Sequence, residues 1–170
     1  SYGELLAASG FVAVTFDHRF LSVAGIADAA RDVADLLADV RTSAGSLGVD
    51  PDRMSVWAFS GGGPFLAALL RKRPSWLRAI VAYYAILDLQ QPPPGLSAIE
   101  GLSEDARPAP PILVARAGVD NASLNATIDP FVQKALDAGA ALDLLNHAAG
   151  RHSFDILDDD ARSRQIIRRR

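Results

Sequence analysis

Met54-Ser-Val-Trp-Ala-Phe-Ser-Gly-Gly-Gly-Pro-Phe-Leu-Ala-Ala-Leu-Leu70 joins a short apolar run to a segment of helical spacing through a serine and three glycines. The run reads as a strand, Ser60 as a turn, and the residues after the glycines as a helix. Ala58 and Gly62, the second neighbours of Ser60, are both small. A turn this sharp presses the backbone before it against the first helical turn, so bulky side chains at either place are expected to clash. Ser60 then projects clear of the sheet, near the free N–H groups that open the helix, where the helix dipole favours a developing negative charge. A phosphate-binding turn also combines strand, glycines and helix. It fits less well, because neither G-x-G-x-x-G nor G-x-x-x-x-G-K is present and the serine stands where a phosphate needs bare backbone. The pattern is G-x-S-x-G with Ala58 replacing the first glycine, and it marks Ser60 as a nucleophile.

Composition bounds the surroundings of this turn. A chain of 170 residues with 49% hydrophobic side chains can bury a core and fits one domain, or part of a larger one. A formal net charge of −3 provides no basic face for nucleic acid or an anionic membrane, and no apolar run approaches the length of a membrane span. The absence of cysteine excludes disulfides, cysteine-based zinc sites and thiol nucleophiles.

Upstream, Tyr2 to Ser9 reads as the end of a helix closed by Gly10, and Phe11-Val-Ala-Val-Thr-Phe16 as a buried strand ending at Asp17-His-Arg19. From Ile26 to about Ser46, Val33, Leu36, Leu37, Val40, Ala44 and Leu47 recur at helical spacing, with Arg31, Asp35, Asp39 and Arg41 outward. Downstream, Leu77 to Ala85 and Pro111 to Ala117 are continuous apolar runs suited to strands covered on both faces. Residues 88 to 110 form an irregular excursion expected over the strand ends. A helix with Phe131, Val132, Ala135 and Leu136 on one face has an ambiguous start because of Pro130. Ala141 to Asn146 is a last short strand, and Asp158 or Asp159 is expected to cap a final helix carrying Ile166 and Ile167. Strands alternating with helices imply an α/β fold, a mostly parallel sheet with helices on both faces. Chemistry in such sheets gathers beyond the carboxyl ends of the strands, where Asp17, Ser60, Asp88, Asp120 and His152 fall.

A serine hydroxyl needs an imidazole to take its proton, and the imidazole needs a carboxylate to hold its tautomer. His152, on a glycine-led loop, is preferred as base over His147 at the strand end, and His18 reads as a hydrogen-bonded loop residue. Asp120, which follows the Gly118 turn, is preferred as acid over Asp88. Asp155 and Asp158 to Asp160 read as a solvated acidic cluster at a helix start. No two histidines stand at a ligand spacing beside a suitable acid, so no metal is assigned, and no cofactor is needed.

Gly48-Val-Asp-Pro-Asp-Arg-Met54 leading into Ser60-Gly-Gly, then Ala117-Gly-Val-Asp120 and Gly150-Arg-His152-Ser-Phe154, resembles the dienelactone-hydrolase and esterase-like branch of the α/β-hydrolase superfamily over nearly the whole chain. The resemblance implies Ser60 as nucleophile, Asp120 as orienting acid, His152 as general base and later acid, and Gly61 as one oxyanion-hole donor. It implies a small-molecule ester substrate. The family's other oxyanion donor, on a His-Gly-Gly type loop after an early strand, has no counterpart here. A prolyl-oligopeptidase-like peptidase shares the triad order, and a non-catalytic binding protein on the same fold is the reading from another class.

The family arrangement also leads us to expect a piece of a longer chain, poorly stable and nearly inactive alone. Phe11 to Phe16 matches the fourth strand and Met54 to Phe59 the fifth, and the strand that separates them in the family would lie upstream of Ser1. The sheet is then expected to show either a gap beside Met54 to Phe59 or a direct pairing with Phe11 to Phe16.

Overall fold

The computed structural model describes residues 2–19, 25–102 and 108–168. The chain divides into two compact units, Ser1–Arg53 and Met54–Arg170.

The first unit is helical. Helix α1 (Tyr2–Ala7) closes through Gly10 at φ +86°, as its sequence predicts. Helix α2 (Ile26–Thr42) and the single turn α3 (Ala44–Leu47) occupy the stretch of helical periodicity, and Gly48 ends it in a left-handed conformation. Arg31, Asp35 and Asp39 face solvent as expected, but so does Leu47, at 45% exposure. The expected strand from Phe11 to Phe16 does not form. Its residues carry no ladder bonds and remain open: Phe11 is 61% exposed, Val12 55% and Phe16 40%. A strand exists only through the N–H and C=O groups of a neighbour, and apolar content alone does not provide them.

The second unit holds the sheet. Strands β1 (Met54–Phe59), β2 (Leu77–Tyr83), β3 (Ile112–Ala117) and β4 (Leu142–His147) are all parallel, in the order β1-β2-β3-β4. Val56 pairs with Ile80, Ala82 with Val114, and Val114 with Leu144. The central strands bury Ile80, Ala82, Ile112, Val114 and Ala115 almost completely, the behaviour of parallel strands covered on both faces. β1 forms one margin of the sheet, and no strand pairs with its other edge among the described residues. Of the two arrangements expected beside β1, the direct pairing with Phe11 to Phe16 is not present.

Between β1 and β2 the chain passes through a 3-10 segment (Ser60–Leu66) into helix α4 (Ala67–Lys72), which ends at Arg73 in a left-handed conformation ahead of Pro74. Helix α5 (Ala98–Gly101) interrupts the 88 to 110 excursion. It is capped by Ser97, whose hydroxyl accepts from the Glu100 N–H. This part of the excursion packs on α4 and the 3-10 segment; a Cβ on Gly101 would sit 2.7 Å from the Ala67 carbonyl oxygen. The polar residues 103–107 lie outside the described residues.

Helix α6 (Ala122–Asp137) starts at the Asn121 cap, with Pro130 well inside it. Its buried face is Asn125, Ile128, Phe131 and Ala135, so Phe131 and Ala135 lie on the core side as expected, whereas Val132 is half-buried at its edge and Leu136 is 54% exposed. The single turn α7 (Phe154–Leu157) and helix α8 (Ala161–Arg168) complete the fold. The Ser163 N–H donates to Asp160, so the α8 cap is Asp160 and not Asp158 or Asp159. The α/β class read from the sequence is present, an all-parallel sheet with helices packed on it. Among the described residues no helix is long and apolar enough to cross a membrane.

Candidate active site

Ser60 leaves β1 with φ at +47°, a left-handed conformation that costs a residue bearing a Cβ about 1–2 kcal/mol. Contacts with the chain beyond β2 hold it there. The Ile86 N–H donates to the Ser60 carbonyl at 2.9 Å, and Gly63 runs so close that a Cβ on it would lie 2.0 Å from the Ile86 carbonyl oxygen. A Cβ on Gly62, by contrast, would make an ordinary 3.6 Å contact with the Ala58 methyl group. The demand for a glycine, expected around Ala58 and Gly62, falls instead on Gly63. The elbow is pressed against the segment after β2 more tightly than against the strand that leads into it. Gly61 follows Ser60 at the opening of the 3-10 segment, where N–H groups have no acceptor within the helix.

Gly118 lets the loops after β3 and β4 come together, and Gly150 lets the second of them fold back over the His147 ring. A Cβ on Gly118 would fall 2.3 Å from the Ala148 carbonyl oxygen, and one on Gly150 would fall 2.6 Å from the His147 ring. Without those side chains the Gly118 N–H reaches the His147 carbonyl at 2.8 Å and the Val119 N–H reaches the Gly150 carbonyl at 3.0 Å. Asp120 sits between this bridge and the start of α6. Asn125 Nδ2 secures the end of β3 by donating to the Ala117 carbonyl.

His152 lies between Ser60 and Asp120. Its Nδ1 is 2.6 Å from Asp120 Oδ2 and its Nε2 is 3.0 Å from Ser60 Oγ. Asp120 keeps only 4% of its side chain exposed, and its other oxygen accepts the Asn121 N–H at 2.7 Å. An ionised carboxylate only accepts, so in a neutral imidazole the proton belongs on Nδ1 and Nε2 is free to accept from the serine hydroxyl. The His152 side chain is 38% exposed, leaving the row open on one side.

The other residues weighed from sequence fall elsewhere. His147 is buried at the end of β4, with Nε2 3.0 Å from both Asp160 Oδ2 and Ser163 Oγ. Asp88 takes neither ring nitrogen of His152. His18 packs against the Phe16 ring in the first unit, in an open depression that Asp17 also lines.

The acidic residues near α7 and α8 are not simply a solvated cluster. Asp155 accepts from Tyr84, Asp158 pairs with Arg151, and Asp160 caps α8. Asp160 is held below the usual carboxylate range chiefly by the Ser163 N–H, with His147 adding to it. The ligand atoms of His147, Asp158 and Asp160 lie within 4.8 Å of one another, yet each residue is already engaged by these protein partners.

Sequence reasoning missed Tyr84. It stands just past β2 at φ +38°, with its ring centroid 4.6 Å from that of His152. Its signal was the second tyrosine of Tyr83-Tyr84, which the reading absorbed into the strand.

The fold occurs in solved esterases. Esterase 2 of Thermogutta terrifontis phosphoramylated by tabun superposes with a TM-score of 0.79 at 21% identity, covering 98% of this chain and 71% of that one. The butyrate-bound form of the same esterase gives 0.68 at 20% identity, covering 84% and 63%. Carboxyl esterase 2 of the mycorrhizal fungus Tuber melanosporum gives 0.62 at 17% identity, covering 78% and 56%. No protein-family model matches the sequence, and no curated protein does.

Proposed function

We propose that this chain carries the centre of a serine hydrolase that cleaves carboxylic esters through an acyl-enzyme. The observation behind this reading is the unbroken row Ser60, His152, Asp120, at 3.0 and 2.6 Å, beyond the carboxyl ends of three parallel strands. Ser60 Oγ attacks the ester carbonyl while His152 Nε2 takes its proton, and the buried Asp120 carboxylate stabilises the imidazolium that results. The negative oxygen of the tetrahedral intermediate faces the Gly61 N–H. His152 then gives its proton to the departing alcohol. A water activated by the same imidazole hydrolyses the acyl-Ser60 bond and restores the hydroxyl.

The strained φ of Ser60 accords with this role, since it aims the hydroxyl out of the sheet. The likeness to solved esterases supports an ester as substrate, and the butyrate in one of them makes short-chain esters the substrates to test first. In the full chain, Ser60→Ala should lower p-nitrophenyl butyrate turnover by at least about 10⁴-fold while the thermal transition stays in place, because the hydroxyl supplies the covalent step and little packing. A fluorophosphonate probe should label the parent and not the variant. Turnover near the parent rate in Ser60→Ala, or probe attached at another residue, means a different nucleophile.

A further inference from the structure

The segment that carries His152 has little stability of its own. It runs from Gly150 into α7, one helical turn, and a turn that short does not persist without packing. Ser153, directly after His152, sits at φ +61°, so the backbone there is strained as well. Side chains from other elements therefore decide where the imidazole stands.

Tyr84 acts on this segment in two ways. Its ring lies against the His152 ring, with centroids 4.6 Å apart and planes at 59°. Its hydroxyl donates to Asp155 Oδ1 at 2.7 Å, three residues beyond His152. Tyr84 is itself firmly placed: it is 3% exposed, its N–H donates to the Ala115 carbonyl at 2.7 Å, and its ring meets those of Phe59, Tyr83 and Phe154. Burial first, then the bond to Asp155, raises the phenol above its usual range, so it remains a donor.

We propose that Tyr84 is a positioning residue for His152. Its bond to Asp155 anchors the α7 turn to the end of β2, and its ring face sets the tilt at which one imidazole reaches Ser60 and Asp120 together. The inference rests on the serine-hydrolase reading. Phe154 seats α7 through its contacts with Tyr83, Tyr84 and His147 whether or not the phenol is present, so the bond can be removed without unseating the turn.

Tyr84→Phe, Asp155→Asn and Ser60→Ala, each made in the full chain, test this. Asp155→Asn keeps an acceptor oxygen for the phenol and is the conservative control. Tyr84→Phe should lower kcat about ten-fold with little change in KM, because a small misplacement of a reacting group is felt in the chemical step. Fluorophosphonate labelling of Ser60 should slow by a similar factor. The low-field NMR signal of the proton between His152 Nδ1 and Asp120 should broaden, and Asp155→Asn should stay close to the parent in all three. Parental kcat and an unchanged signal in Tyr84→Phe overturn the proposal, as does a lowered melting temperature with kcat intact. Equal losses in Asp155→Asn also overturn it, since the carboxylate charge and not the bond would then matter. Ester turnover that survives Ser60→Ala overturns the hydrolase reading and this role with it. Loss in Ser60→Ala beside parental Tyr84→Phe overturns this role alone.

Discussion

Phe11 to Phe16 and Met54 to Phe59 are two six-residue runs rich in β-branched and aromatic side chains, and their fates differ. The second is β1, bonded along its length to β2. The first makes no ladder, and its two phenylalanines and Val12 are each at least 40% exposed. The difference lies in what stands beside each run. β1 has a parallel neighbour that satisfies its backbone groups on one edge, and the strands beyond that neighbour build a core. Propensity proposes a strand, and a partner makes one. The same contrast separates the helices. α6 buries Ile128, Phe131 and Ala135 completely, whereas α1 has no buried residue.

The sharpest test of the paired region is Gly63→Ala, which sets a methyl group against backbone that cannot move without releasing the Ser60 elbow. It should cost more than about 4 kcal/mol in urea unfolding, the range reserved for overpacked or broken core features. A loss under about 1 kcal/mol would mean that the elbow is looser than its geometry. Next in size is Ile80→Ala in β2, where a fully buried side chain should be worth about 2–5 kcal/mol by the same measurement.

Phe11→Ser is the matching change in the unpaired run, and it should stay within about 0.5 kcal/mol because the ring is already largely in water. A loss as large as that of Ile80→Ala would show that the run is covered in solution and would erase the contrast.

The smallest effect is electrostatic and belongs to the first unit. The Arg19 guanidinium, bonded side chain to side chain, together with the Arg19 N–H, holds the Asp32 carboxyl down at about 2. A carboxyl lowered on folding stabilises the folded state above its unfolded pKa, and that contribution is lost as pH falls through the folded one, here from about 4 toward 2. A carbon-detected NMR titration should place the Asp32 midpoint near 2, and Arg19→Gln should raise it part of the way toward the ordinary aspartate range, since the backbone N–H at that position still donates. An ordinary midpoint in the parent would remove this ion pair from consideration.

Where reading the sequence succeeded, the signal was local. Ser60 is announced by the residues on either side of it, and Met54 to Phe59 is a strand with the boundaries read from its apolar run. Asp120 and His152 were singled out for the glycine two residues before each, and those glycines have steric reasons of their own: a side chain on Gly118 would meet the loop after β4, and one on Gly150 the His147 ring. These requirements travel with a few consecutive residues, so a sequence carries them in view.

What escaped depends on contacts between residues far apart in the chain. The need for glycine at position 63 comes from Ile86, the cap of α8 is chosen by where Asp160 meets Ser163 and His147, and Tyr84 matters through Asp155, 71 residues away. The failed strand at Phe11 belongs with them, because a ladder is a property of two segments and only one can be read at a time. Chain order established the types and spacing of Ser60, Asp120 and His152, while their 3.0 and 2.6 Å separations arose only when three parallel strands brought their ends to one side, since no local rule joins residues 60, 120 and 152.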